Sequence, residues 1–446
     1  MSNNPSNTTL NQEVIEQIRK SITIAQERGD TKTTVALFKK LGQTYLDAGA
    51  APEALTEFNE AIKLVANGDE KEIFSQMLGL RGLALKLIGN YSQALQSFRK
   101  SHAVASEINH PGLTCDSLIQ IAALHSDMEK FAEANSALED AQQIAVGHKD
   151  KVREMRLLGL LGDNSLKQAD LAKASSYFQM AYEAAHDLDN TSAECSFITK
   201  QGNVALLEGV VERAIEKYER ALKLASALAD RNAEINILGG LFRAHAMAGE
   251  LRPAQVYAEQ VIQLCAEIEH TEAELANILT FVAYLIKQEQ FDRVYIHLER
   301  GLQLVRQQTD LGMQMELLNL EGQAYANQEK YDAALASWNA ALTLAANLQD
   351  EVFMARLYAR MAAIFAETGD IEKSIDCAEK ALELAKLIGD TKLVAEQYIL
   401  LTFNFRDGSQ MDKAKQACQL AIETYESIGE GDMVTYAQTL LADLGI

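Results

Sequence analysis

The first patterned stretch of the chain, about Asn11 to Glu27, sets Val14, Ile15, Ile18, Ile22 and Ala25 at three- and four-residue steps. Glu16, Arg19, Lys20, Thr23 and Gln26 fill mainly the positions between them. Apolar residues at that spacing line one face of a helix, because about 3.6 residues complete a turn. The same rhythm reaches the other end, where Met433, Ala437, Leu440, Leu441 and Leu444 share a face opposite Thr435, Gln438 and Thr439. No strand-like alternation of useful length interrupts it, so the chain reads as all-α.

The pattern returns every 40 residues. Stepping by that period from Ala54 gives Ala94, Ala134, Ala174, Ala214, Ala254, Val294, Ala334, Ser374 and Ala414, so alanine holds eight of ten places without insertion or deletion. Register held over such a length marks a repeat array. A second column, Gly42, Gly82, Ala122, Gly162, Gly202, Phe242, Val282, Gly322, Ala362 and Thr402, is mostly small. A third, Phe58, Phe98, Leu138, Phe178, Tyr218, Ala258, Leu298, Trp338, Ala378 and Cys418, is mostly large. Large side chains at a fixed offset from small ones predict helices that interlock. Asp30, Asp150, Asp230, Asp310, Asp350 and Asp390, with Asn190 in the same column, stand just ahead of helical stretches and read as N-caps. Gly49, Gly89, Gly209, Gly249 and Gly369 mark a second break, so each unit is two helices of roughly 16 residues, about 24 Å each. Pro52, Pro111 and Pro253 fall at or near helix starts, where a missing amide donor is tolerated. The seventh unit is irregular, with Val282 and Val294 in the small columns and Gly301 where alanine is usual.

Two copies carry a resemblance: Leu41-Gly42-x-x-Tyr45 followed by Ala54, Phe58 and Ala61, and Gly322-x-x-Tyr325 followed by Ala334, Trp338 and Ala341. They resemble the tetratricopeptide repeat, over nearly the whole chain. The departures are the 40-residue period in place of the commoner ~34, and Ala66 and Ala346 where the family places proline. Arrays with such lengthened helices are similar to those of kinesin light chain, Pins-type polarity adaptors and bacterial signalling regulators, including the sensor region of MalT-like transcription factors. The resemblance implies an α-solenoid, a superhelix of antiparallel helix pairs. The expected layout is a disordered segment 1–10, an N-terminal capping helix 11–30, ten tandem repeats over 31–430 and a C-terminal capping helix 431–446. That makes about 22 helices and one complete, stand-alone array.

Charge narrows the partners. With 41 Lys and Arg against 63 Asp and Glu, the formal charge of −22 repels a polyanion, so neither nucleic acid nor an anionic membrane surface is expected. Acidity keeps a long, surface-rich solenoid soluble and also attracts a partner with a basic segment. An apolar content of 48% permits a sizeable core, and only four prolines suit continuous helix. The longest apolar run, Ile278 to Ile286, is broken by Thr280 and Tyr284 and falls well short of the roughly 20 residues a membrane helix needs. Met1 to Leu10 lacks the layout of a secretory signal, so a cytoplasmic location is expected. Cys115, Cys195, Cys265, Cys377 and Cys418 are odd in number, scattered and free of C-x-x-C pairs, so reduced thiols are expected and neither disulfides nor a metal site.

The sequence contains no P-loop, H-E-x-x-H, G-x-S-x-G or calcium-loop pattern, and the expectation is a protein that is not an enzyme and needs no cofactor. Gly159-Leu160-Leu161-Gly162 lies within a predicted helix with no strand before it and reads as close packing. His125 and His245 share the column of Tyr45, Tyr325, Phe365 and Phe405 and read as core, as does Trp338. What the resemblance implies about binding is that the first helix of each unit lines a concave surface, at positions i, i+3, i+7 and i+10 or i+11. These begin with Ala36, Lys39, Gln43, Leu46 and Asp47. The carboxylate clamp of chaperone-binding members is matched only at Lys39, since Gln43 and Leu80 stand where its asparagines should be.

Further along, the inward positions hold Arg156, Asp163, Asn203, Asn236 and Arg243, then Glu316, Asn319, Gln323, Arg356 and Arg360. Asn and Gln donate and accept, which suits an extended peptide backbone, and Arg grips carboxylates bidentately. Gly79, Gly159 and Gly239 on the same face are expected to leave room for a bound chain. These residues form a candidate peptide-binding groove; the same residues also fit a face that is only solvated. The function expected is a non-catalytic protein–protein interaction scaffold or adaptor binding a peptide or protein segment. The alternative is a regulatory sensor array that switches on a peptide or small ligand and acts through a separate effector.

Overall fold

The computed structural model describes residues 5–445, and among them helix follows helix without a strand. The chain divides into two compact units, Met1–Tyr257 and Ala258–Ile446. The first holds α1 (Pro5–Glu27), α2 (Thr31–Asp47), α3 (Ala51–Val65), α4 (Lys71–Leu87), α5 (Tyr91–Glu107), α6 (Pro111–Asp127), α7 (Phe131–Gly147), α8 (Lys151–Lys167), α9 (Leu171–Asp187), α10 (Thr191–Leu207), α11 (Val211–Leu228) and α12 (Arg231–Met247). The boundary falls within α13 (Leu251–Glu267). The second unit continues with α14 (Thr271–Lys287), α15 (Phe291–Gln308), α16 (Leu311–Ala326), α17 (Tyr331–Leu348), α18 (Glu351–Glu367), α19 (Ile371–Ile388), α20 (Thr391–Asp407), α21 (Met411–Ile428) and α22 (Gly431–Asp443). Short turns fold consecutive helices back on one another, so each unit is an α-solenoid of antiparallel helix pairs.

One turn recurs at 20-residue intervals. After every helix from α1 to α21 except α3, one turn residue adopts φ near +50° to +84°, as at Gly29, Gly89, Asn109, Lys149, Ala169, Ala229, Thr309 and Gly429. The next amide then reaches back to a carbonyl five residues earlier, as Asp30 N–H does to Ala25 at 3.0 Å and Asp150 N–H to Ala145 at 2.9 Å. These bonds satisfy carbonyls that the helix end would leave orphaned. The following residue caps the next helix: Asp30, Asn90, Asp150, Asp170, Asn190, Asp230, Asp310, Asp350, Asp370 and Asp390 each accept the backbone N–H three residues on. His110 and His270 do the same through Nδ1.

The small and large columns meet as expected. A Cβ added at Gly42 would lie 2.4 Å from Phe58 Cε1, at Gly82 2.5 Å from Phe98 Cε1, at Gly162 2.5 Å from Phe178 Cε1 and at Gly322 2.4 Å from Trp338 Nε1. Where the small column holds Ala122, its large partner is only Leu138, and both are buried. Gly301 follows the same logic, since its Cβ would come within 2.9 Å of Leu317 and 3.3 Å of Ile278.

Three expectations need correction. α1 begins at Pro5, not Asn11; of the segment 1–10 expected to be disordered, residues 1–4 lie outside the described residues. Val14, assigned to the buried face of α1, is exposed; with a neighbouring helix on one side only, the buried stripe narrows to Ile18, Ile22 and Ala25. Gly159 leaves no room for a ligand, because the Phe197 ring occupies that space, 2.7 Å from where a Cβ would be.

Candidate functional site

All ten candidate residues lie on even-numbered helices: Arg156 and Asp163 on α8, Asn203 on α10, Asn236 and Arg243 on α12, Glu316, Asn319 and Gln323 on α16, Arg356 and Arg360 on α18. The first five belong to the first unit and the rest to the second. Helical phase fixes their orientation. Arg156 stands exposed between buried Met155 and Leu157, and Asn236 between buried Ile235 and Ile237.

In the first unit the geometry joins Asn203 and Arg243 through Tyr218 of α11. The buried ring fits between two helices because both offer glycine, with Cβ positions at Gly202 and Gly240 that would lie 2.8 and 2.7 Å from it. Its hydroxyl donates to Asn203 Oδ1 at 2.6 Å. Burial pushes the Tyr218 phenol up in pKa, and the adjacent Arg243 guanidinium only partly offsets this, so it stays a donor. Asp163 is already engaged: both its oxygens accept from Lys200 Nζ at 2.6 Å. Lys200 also lies over the Phe178 ring, 5.3 Å from its centroid. Arg156 and Asn236 join neither group and make no hydrogen bond or ion pair among the described residues.

In the second unit Arg360 Nη1 donates to Asn319 Oδ1 at 3.2 Å, and the Asn319 carbonyl accepts from Trp338 Nε1 at 3.2 Å. Burial, then the nearby charge of Arg356, pushes the Arg360 pKa down, and Glu316 works against them. Arg356 and Glu316 are exposed, and Gln323 is half-buried with its amide unpaired among the described residues.

Sequence reading missed several neighbours. Lys200 lies at the same place in the period as Arg360, four units earlier, so the register that selected one also selects the other. Leu207 and Met247, at the C-terminal ends of α10 and α12, are 66% and 57% exposed beside the polar set. Two histidines pair with carboxylates: His245 Nδ1 with Glu250 Oε2 at 2.6 Å and His186 Nδ1 with Glu194 Oε1 at 3.1 Å. Among the described residues, no group of three or more His, Cys, Asp or Glu is placed to hold a metal. A depression of about 550 Å³ lined by His102, Asp140 and His148, among others, lies outside both candidate sets. No helix among the described residues is long and apolar enough to cross a membrane.

A family model of the tetratricopeptide repeat matches residues 355–386, which include Arg356 and Arg360. The repeats are of the tetratricopeptide type. A second family model, anaphase-promoting complex subunit 5, matches residues 7–41 and 80–153 of this tetratricopeptide array. No curated protein matches its sequence. Among solved structures, the array is similar to the apo form of RapI, at 13% identity and a TM-score of 0.55, over 80% of this chain and 98% of that one. It is also similar to a signal transduction ATPase with numerous domains from Pyrococcus horikoshii that carries a tetratricopeptide repeat sensor. There the identity is 12% and the TM-score 0.54, over 81% of this chain and 55% of that one. At such identities the likeness is one of fold.

Proposed function

We propose that this chain is a non-catalytic interaction scaffold or adaptor that holds a peptide or extended protein segment on a face lined by the even-numbered helices of a unit. One observation carries the reading. Arg156, Asn236, Glu316 and Arg356 are multiples of 40 residues apart, all are exposed, and none makes a hydrogen bond or ion pair within the described residues. The same outward place thus repeatedly presents unspent hydrogen-bonding capacity, which suits the alternating donors and acceptors of an extended backbone. In the first unit Tyr218 holds Asn203 in place from beneath, which lowers the entropy lost on binding. The net charge of −22 favours a partner with a basic segment over nucleic acid or an anionic membrane, and a cytoplasmic setting suits the unpaired thiols.

The test is affinity purification from the native cell with mass spectrometry, on the wild type and on the Arg156/Asn203/Asn236/Arg243→Ala variant. A protein captured only by the wild type supports the assignment; one captured equally by both removes it from these residues. The sensor alternative draws on the description of the archaeal neighbour as carrying a tetratricopeptide repeat sensor. It calls for ligand-dependent melting of the isolated chain, since a ligand that binds only the folded state raises stability.

A further inference from the structure

The turns that follow α17, α19 and α21 share an apolar edge. Leu348 ends α17, Leu387 and Ile388 end α19, and Ile428 ends α21. Leu348, Ile388 and Ile428 are 40 residues apart, so they hold one place in three successive repeats. Ile388 is half-buried; the other three side chains are exposed, Leu387 by 66%. Single exposed apolar residues are ordinary on a protein surface, but packing within the unit gives no reason for a run of them in register across neighbouring repeats.

The same turns are acidic. Residues 346–352, 386–392 and 426–432 hold Asp350, Glu351, Asp390, Glu426, Glu430 and Asp432 against Lys386 and Lys392, six acids to two bases. None of the six is in an ion pair among the described residues; Asp350 and Asp390 accept a capping N–H and keep their charge. Lys386 lies over the Tyr398 ring, 5.2 Å from its centroid. The corresponding turns of the first unit differ: residues 26–32 balance Glu27 and Asp30 with Arg28 and Lys32, and residues 146–152 set Lys149 and Lys151 against Asp150. Arg28 and His148 stand there in the column of Leu348, Ile388 and Ile428.

Spacing selects the form of whatever covers the edge. α18 and α20, the first helices of successive repeats, touch, so successive turns lie about one interhelical distance apart, roughly 10 Å. An extended segment covers that distance in about three residues, and an odd step turns the next side chain to the opposite face, so a strand cannot keep apolar residues on all three turns. A helix covers it in about seven residues and returns to nearly the same face. The carboxylates repel an anionic membrane, and a second copy of this edge would bring like charges together.

We propose that this edge docks a basic amphipathic helix of a partner protein, about 15–20 residues long. Apolar side chains seven residues apart lie against Leu348, Leu387, Ile388 and Ile428, and Lys or Arg on the flanks faces the carboxylates of the three turns. None of the ten candidate groove residues belongs to this edge, so the proposal adds a second docking surface to the scaffold.

The test is selection of a displayed library of three-heptad helices on the full chain. The seven-residue positions vary among Leu, Ile, Val, Phe and Ser, and the flanking positions among Lys, Glu and Ser. The expected result is enrichment of apolar residues at all three spaced positions with Lys beside them. A selected helix should lose at least about tenfold in affinity on Leu348→Ser/Leu387→Ser and, separately, on Glu351→Lys/Asp432→Lys, and should bind the Arg156/Asn203/Asn236/Arg243→Ala chain unchanged. The loss on the charge variant should shrink as salt is raised. Both edge variants alter exposed side chains and leave the caps Asp350 and Asp390 in place, and circular dichroism melting checks that they are folded. No enrichment, enrichment without Lys, or binding that survives in both folded edge variants overturns the proposal. Binding lost instead from the α8–α12 variant overturns it by assigning the helix to the groove. Self-association of the free chain in sedimentation, abolished by Leu348→Ser/Leu387→Ser, overturns it by making a second copy the occupant.

Discussion

Gly79 and Gly82 lie one turn apart on α4, and the same substitution at each should shift stability in opposite directions. An alanine Cβ at Gly82 would sit 2.5 Å from Phe98 Cε1, 2.6 Å from Cδ1 and 2.9 Å from Cζ. Carbon atoms rest at about 3.5–4 Å, so the ring must retreat by roughly 1 Å. Phe98 is fully buried and has no solvent to swing into. Overpacking of this kind costs about 1–3 kcal/mol, against a gain of about 0.5–1 kcal/mol from replacing a helical glycine, so Gly82→Ala should destabilise by about 1–2 kcal/mol. At Gly79 the nearest atom to an added Cβ is Ser101 Oγ at 3.8 Å, an ordinary contact. Only the helix gain remains, and Gly79→Ala should stabilise by about 0.5–1 kcal/mol. Because repeat arrays open locally, the assay is hydrogen exchange by mass spectrometry on peptides from α4 and α5, with thermal melting beside it. Adding Phe98→Leu to Gly82→Ala recreates the Ala122 and Leu138 pair of the next unit and should recover part of the loss. Equal protection in the two single variants, or a double variant no better than the sum of its parts, would refute the interlock.

Left-handed turn positions offer a second test: Ala169 and Ala229 hold φ of +57° and +53°, where a Cβ costs roughly 1 kcal/mol, so Ala169→Gly and Ala229→Gly should each raise stability by about that much in denaturant unfolding. Loss of stability in both would contradict the turn geometry. All five cysteines are buried and unpaired, and burial raises every thiol, Cys265 to about 11. A thiol-reactive dye should therefore label none in the native protein and all after denaturation; any stoichiometric native labelling falsifies the packing around that residue. Burial also holds His125 and His297 below the ordinary imidazole pKa, and Arg293 adds to this at His297 while Glu259 opposes it. The unfolded chain then takes up protons first, so stability is full above about pH 6.5 and declines as pH falls towards the lower folded values. Melting temperature measured down to about pH 5.5 should drop, and should drop less in His125→Gln/His297→Gln; equal slopes would refute the burial argument.

The fold was legible because its determinants are local and repeated. The Asp column, the glycine and aromatic columns and the apolar stripes each follow from one residue's fit to one place, and the period copied that fit along the chain. What stayed hidden depends on neighbours. Twelve non-glycine residues, from Asn109 to Ser409, take up the left-handed turn because the helices on either side and the carbonyl bonds of the helix end impose it, not because of what they are. His110 and His270 cap helices through a ring nitrogen, a role their residue type seldom signals. Gly159 reads from sequence both as close packing and as room for a ligand; the first holds, and its occupant, Phe197, comes from the next even-numbered helix, which sequence spacing alone does not show.

The site is harder to read for a reason that the same columns expose. The place occupied by Arg156, Asn236, Glu316 and Arg356 also holds Ala36, Gln76, Asp116, Ser196, Ala276 and Glu396, and it is buried at none of the ten. Interior columns repeat because packing selects them; this one varies because burial does not, and only some of its members find partners, as Gln76 does in Lys39 and Asp116 in Arg153. Variation there is what a binding face and a solvated face have in common, so residue type at Arg156 or Asn236 cannot by itself separate the two. Arg360 is different. It gives up hydration, tolerates a second guanidinium beside it and receives the Asn319 amide and the partial offset of Glu316 in return. A residue held against its own folding energetics points outward more sharply than one that is merely exposed.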